Sequence, residues 1–231
     1  KISERNKGLE DQKYFSIIQN NILRLQRLID QLVSYRKAEA GHLVLSYSKT
    51  SLGDFIYPLM DAFENYSQGN GVNFHYKINS PNKFIVLDIN KIERVLLNLF
   101  SNAIKYVDSN REVSIEVGLS SYDNQESFYI EVANSGMRIP ADKIDKIFDR
   151  FYRVVEDNDY RSGTGIGLEM CKSLVNLMNG TITVTSDAGQ KTVFKINIPF
   201  NESLQIENEP VQTDMKLATD WLPEEIDGIQ E

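Results

Sequence analysis

The stretch Asn98-Leu-Phe-Ser-Asn102-Ala-Ile-Lys105-Tyr106 interleaves polar and apolar residues at helical spacing. On a helix through Asn98, Asn102, Lys105 and Tyr106, offsets of four, three and one residues place the two carboxamides and the ammonium along one face. Leu97, Leu99 and Ile104 make the rest of the helix apolar. Asparagine is a poor helix former and a buried carboxamide needs partners. The pattern therefore fits either a helix with incidental amides or one that presents them to a polar ligand. Carboxamide oxygens suit a hard cation such as Mg²⁺, and a lysine ammonium suits phosphate oxygens.

Downstream lies a glycine run, Gly163-Thr164-Gly165-Ile166-Gly167-Leu168. Its glycines allow close backbone approach to a ligand, and the helix expected after it aims N-terminal amides at an anion. The run follows no strand, which removes the context a dinucleotide fold requires, and no GxxxxGK[ST] sequence is present. Before it, Phe148, Phe151 and Tyr152 fit core filling or the anchored base of a moving loop. Val154–Ser162, between that base and the glycines, is polar and of a length suited to a lid. Arg153, at the start of that loop, fits a phosphate contact or a solvated cation.

Outward from these motifs, Leu43–Ser48, Val72–Ile78, Phe84–Leu87, Val113–Leu119, Phe128–Ala133, Thr181–Ser186 and Thr192–Ile198 read as strands. Leu52–Tyr66, Asn90–Tyr106, Ala141–Phe148 and Gly165–Met178 carry helical periodicity, with Pro58 expected to kink the first or delay its start. Gln68-Gly-Asn-Gly71 is a turn signal. The fold class is α+β: a two-layer sandwich with helices on one face of a sheet. Ahead of it, Ile18, Ile22, Leu25, Ile29 and Leu32 form the stripe of a long amphipathic helix from roughly Leu9 to Glu39. That helix is either an ordinary core helix or, as preferred here, one arm of an intermolecular bundle. The division expected is residues 1–42 for the helix, 43–200 for the main domain and 201–231 for an acidic linker towards a missing downstream module.

From Asn201 onward there are nine acids against the single Lys216, which accounts for the whole formal charge of −8 and leaves the remainder near neutral. Neither part offers the basic surface that nucleic acid requires. The single Cys171 forms no internal disulfide, and with His42 and His75 scattered there is no metal cluster. No apolar run approaches the ~20 residues of a membrane span. The chain starts at Lys1 without a signal-peptide pattern and reads as a cytoplasmic piece of a longer protein, whose remainder is compatible with an inner-membrane location.

The ordered set formed by the asparagine helix, Asn134-Ser-Gly136, Phe148-Asp-Arg-Phe151-Tyr-Arg153 and the glycine run resembles the catalytic, ATP-binding domain of sensor histidine kinases. That domain belongs to the wider superfamily of gyrase, mismatch-repair and heat-shock chaperone ATPases. The similarity spans about Leu43 to Phe200. Tyr35-Arg-Lys-Ala-Glu39-Ala-Gly41 is similar to the end of the second helix of the family's dimerisation and phosphotransfer hairpin, in the form seen in hybrid two-component sensors.

The resemblance implies ATP and Mg²⁺ as cofactors. Asn102 would coordinate the metal with Asn98 nearby, Lys105 would meet phosphate and Tyr106 would lie against the adenine. Arg153 would reach the terminal phosphate. Asn134 and Gly136 would take the base-reading positions, and Gly163, Thr164, Gly165, Ile166, Gly167 and Leu168 would form the lid hinge and phosphate contacts. Asn102, Lys105 and Arg153 would thereby serve transfer of the γ-phosphoryl to a histidine. Implied partners are a second kinase protomer, through the hairpin, and a downstream receiver domain or response regulator.

Two departures stand out. Asn134 occupies the position where the family has an adenine-reading aspartate, and Arg138 replaces the motif's second glycine. Weakened nucleotide binding is expected. Neither His42 nor His75 has the acidic residue and proline that follow family acceptor histidines, so this chain should not phosphorylate itself. A retired nucleotide sensor or scaffold is the alternative. An ATPase acting on DNA or client proteins, with Glu93 as its carboxylate, fits less well.

Overall fold

The computed structural model describes Ile22 and residues 44–122, 125–136, 138–154, 165–186 and 191–200. The chain divides into two compact units, Lys1–Leu43 and Val44–Glu231. The expected amphipathic helix (Ile22 apart), His42 and the acidic tail lie outside the described residues.

In the second unit, β1 (Ser48–Ser51) leads into α1 (Leu52–Gly69), followed by β2 (Asn73–Ile78), β3 (Phe84–Leu87) and α2 (Ile89–Lys105). The long strands β4 (Glu112–Tyr122) and β5 (Gln125–Ser135) come next, then two short 3₁₀ turns, α3 (Gly167–Leu177), β6 (Thr181–Ser186) and β7 (Lys191–Pro199). The main sheet has five strands in the order β2-β4-β5-β7-β6, with β2 and β4 parallel and the other pairs antiparallel. β1 and β3 form a separate antiparallel pair.

The layers follow from side-chain alternation. Val113, Ile115, Val117, Phe128, Ile130, Val132, Ile196 and Ile198 are buried from the sheet, and Phe55, Leu59, Phe63, Ile92, Leu96 and Phe100 from the helices. At the centre the rings of Phe63 and Phe100 stack at 4.0 Å, and Phe74 meets both edge-on.

The helix starts are set by side-chain caps. Ser51 Oγ accepts from the Asp54 amide at 3.0 Å, so α1 begins at Leu52 despite Pro58 and continues past that proline to Gly69. The expected delay does not occur. Asp88 caps α2: its carboxylate accepts from the Lys91 amide, pairs with the Lys91 ammonium and accepts from the Ser46 amide at 2.8 Å. That last bond explains why 44–47 is not the strand expected there, since the Ser46 amide is spent on a carboxylate rather than a ladder.

The expected helix Ala141–Phe148 is also corrected. It is two 3₁₀ turns, closed by Lys143 N donating to Pro140 O and Asp149 N donating to Lys146 O. Neither turn has a side-chain cap, and a segment this short gains little from helical cooperativity. Burial of Ile147 and Phe148 sets its path instead.

Candidate functional site

The two motifs nearest the C-terminal end of α2 meet there. Tyr106 caps the helix, its amide donating to Asn102 O at 3.1 Å, and Val107 forms an isolated bridge with Gly136 beyond the end of β5. A Cβ on Gly136 would stand 2.0 Å from Tyr106 O and 2.7 Å from Asn134 Nδ2, so only glycine fits. Asn134 is 4% exposed; its Nδ2 donates to Ser135 O at 3.3 Å and, more weakly, to Tyr106 O at 3.5 Å. Asn134 and Gly136 are thus brought against Tyr106, over which Lys105 Nζ lies 4.7 Å from the ring centroid. Arg138, two residues on, is exposed.

The β5–β7 register sets Thr192 opposite Asn134. Thr192 Oγ1 lies 2.7 Å from Ser186 Oγ, which also accepts from the Ile139 amide at 2.9 Å. These buried hydroxyls tie the segment after Gly136 to the sheet. Sequence reasoning missed both. The signal was present: Thr192 opens the inward series Thr192, Phe194, Ile196, Ile198, and a hydroxyl there needs a partner.

Two turns earlier, at Asn98, α2 faces the start of α3. Asn98 donates from Nδ2 to Arg94 O at 2.8 Å, which leaves its Oδ1 only 2.9 Å from where a Cβ on Gly167 would sit. Gly167 opens α3, whose first turn has no side-chain cap, and Leu168 follows it. Ile166 is half-buried at the N-cap. Asn102, one turn beyond Asn98, is half-buried and its carboxamide makes no hydrogen bond among the described residues. The two halves inferred from sequence, an amide-bearing helix and a glycine run, therefore meet. Gly163 and Thr164 lie outside the described residues.

Phe151 and Gly165 close the gap between the aromatic motif and that run. Phe151 N donates to Gly165 O at 3.0 Å, and a Cβ on Gly165 (φ +70°) would stand 2.7 Å from the Phe151 backbone. Phe151 itself has φ +58° and is 69% exposed. Phe148, by contrast, is buried edge-on against Phe194, with Lys172 Nζ 5.5 Å above its ring. Of the two readings offered for these aromatics, Phe148 fills core and Phe151 joins the two ends of 152–164. Gly165 cannot begin a helix at this φ, which is why α3 starts two residues later than expected. Arg153 is half-buried just before that segment's remainder.

Among the described residues, no group of His, Cys, Asp or Glu could hold a metal ion. A hard cation at this site would have to use amide oxygens and a ligand's own oxygens. Cys171, fully buried on α3 with Sγ 3.9 Å from Val95 O, has its thiol pushed up to about 12 by burial and is a core residue. His75 lies exposed in β2.

Residues 87–202 match the family model described as Histidine kinase-, DNA gyrase B-, and HSP90-like ATPase. The chain belongs to this family. A curated relative, histidine kinase P4 of Formosa agariphila, is 27% identical over 212 residues, covering 90% of this chain and 15% of that protein. Two solved structures share the ATPase-family fold. Full-length ShkA in complex with AMPPNP has a TM-score of 0.70 at 20% identity, covering 87% of this chain and 40% of that one. Histidine kinase ThkA in complex with response regulator protein TrrA has a TM-score of 0.64 at 24% identity, covering 84% of this chain and 52% of that one. The chain spans 13% to 31% of the length of the curated relatives compared. No described helix is long and apolar enough to cross a membrane.

Proposed function

We propose that this chain supplies the ATP-binding catalytic part of a sensor histidine kinase in two-component signalling, delivering the γ-phosphoryl of ATP to a histidine outside the fragment. The observation that carries the reading is the convergence along the C-terminal half of α2 of Asn98 against the Gly167 helix start, of Asn102, whose carboxamide makes no hydrogen bond among the described residues, and of the Asn134–Gly136–Tyr106 cluster. A carboxamide unbonded among the described residues, a helix start without a side-chain cap and glycines whose Cβ positions are filled suit a magnesium nucleotide. Bound Mg²⁺ would supply charge neutralisation between the phosphates.

Asn102 would hold the metal and Asn98 would orient it against Gly167. Lys105 and Arg153 would offset negative charge on the phosphates, with the amides of 167–169 facing an anion. Tyr106 would flank the base. Residues 154–162, between the Phe151–Gly165 clasp, would exclude water, and Gly163 with Thr164 would extend the hinge. The chain would act with a second protomer through residues 1–42 and pass phosphoryl to a receiver, in a parent of hybrid type in which 201–231 links to the next module.

The test is calorimetry with a Mg²⁺-bound, non-hydrolysable ATP analogue. Asn102→Ala should weaken binding by one to two orders of magnitude. Identical isotherms for the two proteins would end the proposal. A second reading, a nucleotide sensor without transfer, is favoured by Asn134 and exposed Arg138. Joining the chain to an upstream acceptor helix and following label from γ-³²P-ATP separates them: measured binding without label favours the sensor.

A further inference from the structure

We propose that the exposed ring of Phe84, with Lys49 and Lys83 beside it, is a docking surface for the chain's own acidic segment Asp220-Trp-Leu-Pro-Glu224-Glu225. The surface lies where β1 meets the start of β3. Phe84 opens β3 and is 53% exposed, whereas Ile85, Val86 and Leu87 after it are buried. Its register partner is Ser51. Lys49, also on β1, holds its Nζ 5.6 Å from the centre of the Phe84 ring. Lys83 is exposed, and its carbonyl oxygen accepts from the Leu52 amide at 2.8 Å. Neither ammonium makes an ion pair among the described residues. Tyr57, 45% exposed, extends the apolar surface: Gly53 N donates to Pro81 O at 2.7 Å, and a Cβ on Gly53 would meet the Tyr57 ring at 3.0 Å and Pro81 Cβ at 3.3 Å.

Open rings with unpaired cations beside them match a segment that carries apolar groups between acids. Asp220-Trp221-Leu222-Pro223-Glu224-Glu225 has that pattern. Connectivity brings it to the right end of the domain. β7 finishes at Pro199, and Phe200 N donates to Glu126 O, at the end of the main sheet where β5 begins. β2 finishes there too: Asn79 N donates to Val117 O and Asn79 Nδ2 to Tyr129 OH, while Tyr129 pairs with Asn197 of β7. Residues 80–84 therefore leave from the same end as residue 201. β2 and β7 are three strand spacings apart, about 14 Å, which about five extended residues cross. Residues 201–219 are more than enough to do so. Asp54 and Asp61 on α1 lie three and four residues from Tyr57, which directs the acids of the segment to the two lysines and Trp221 to the rings. The Asn134–Gly136–Tyr106 cluster is at the opposite end of the sheet, so this inference does not depend on the nucleotide reading.

Trp221 is the only tryptophan, so its fluorescence reads the docking directly. The experiment is acrylamide quenching of the whole chain against a synthetic peptide of residues 201–231. In the chain Trp221 should emit at shorter wavelength and be quenched about threefold less than in the peptide, at every protein concentration. Lys49→Glu with Lys83→Glu, checked for folding by thermal melt, should return both readings to those of the peptide. Asp220→Lys with Glu224→Lys and Glu225→Lys should do the same without touching the β1–β3 surface. Combining the two charge reversals should restore the shielding, which loss of structure would not. A Trp221 as open to acrylamide in the chain as in the peptide, or shielding that both reversals leave unchanged, would overturn the proposal. Shielding that grows with protein concentration would assign the segment to a second copy and overturn it equally.

Discussion

The two sides of the α2 C-terminus are built differently. On the β5 side, Asn134, Gly136, Tyr106, Thr192 and Ser186 are packed and hydrogen-bonded to one another, and Gly136 leaves no room for a methyl group. On the α3 side, Asn102 is unbonded among the described residues, the first turn of α3 lacks a side-chain cap, and Phe151 stands in the left-handed region, well exposed. One side is finished by the fold alone. The other keeps polar groups in reserve, the condition under which a ligand can gain from them. Substitutions on the packed side should therefore cost stability first, whereas on the open side a change at the unbonded carboxamide of Asn102 should cost binding first.

The largest effect should come from Gly136→Ala. A Cβ 2.0 Å from a backbone carbonyl forces the Val107–Gly136 bridge apart, so a loss of about 3 kcal/mol is expected in urea unfolding, with nucleotide binding lost as a consequence. A midpoint unchanged from the parent would show that this side is less tightly built than its distances say. Gly165→Ala should cost about 1–2 kcal/mol, from the left-handed φ and the contact with the Phe151 backbone. It should also loosen the clasp, read as faster proteolysis within 154–164. Asn102→Ala should lie at the opposite pole: stability within about 0.5 kcal/mol of the parent by thermal melt, because no described bond is lost, but affinity for the magnesium nucleotide down by one to two orders of magnitude. If its stability falls as far as that of Gly136→Ala, the contrast between the sides fails.

The smallest effect concerns Cys171. Its thiol is raised by burial to about 12, so at pH 8 it stays protonated in the folded chain, whereas an unfolded thiol is partly ionised. Since the folded value is the higher one, ionisation favours the unfolded state increasingly as pH rises above the ordinary thiol range. A disulfide reagent at pH 8 should modify Cys171 only after denaturant is added. Rapid reaction of the native chain would show that α3 opens, and would move it to the yielding side of the comparison.

Much of this was legible in advance because it is local. The offsets among Asn98, Asn102 and Lys105 fixed a shared helical face, and the apolar alternation of 113–119 and 192–198 marked inner strands, whose true lengths exceed the marks by one to three residues at each end. Local pattern misled where a tertiary partner intervened. Ser46 is drawn from a strand by the Asp88 carboxylate, and 141–148 tightens into 3₁₀ turns to bury Ile147 and Phe148. Ser186 and Thr192 escaped notice because a hydroxyl's significance depends on what it meets, and they meet each other across a strand pair.

By itself, then, the sequence determined the α+β class, the amide-bearing helix face and the identity of the glycines, since periodicity and backbone freedom are properties of neighbouring residues. Only the tertiary structure decided that Asn98 touches Gly167, that Phe151 and Gly165 clasp one another, and which way the Asn134 amide faces. Those are contacts between residues far apart in the chain. Their geometry depends on strand register and helix packing, which no local spacing encodes.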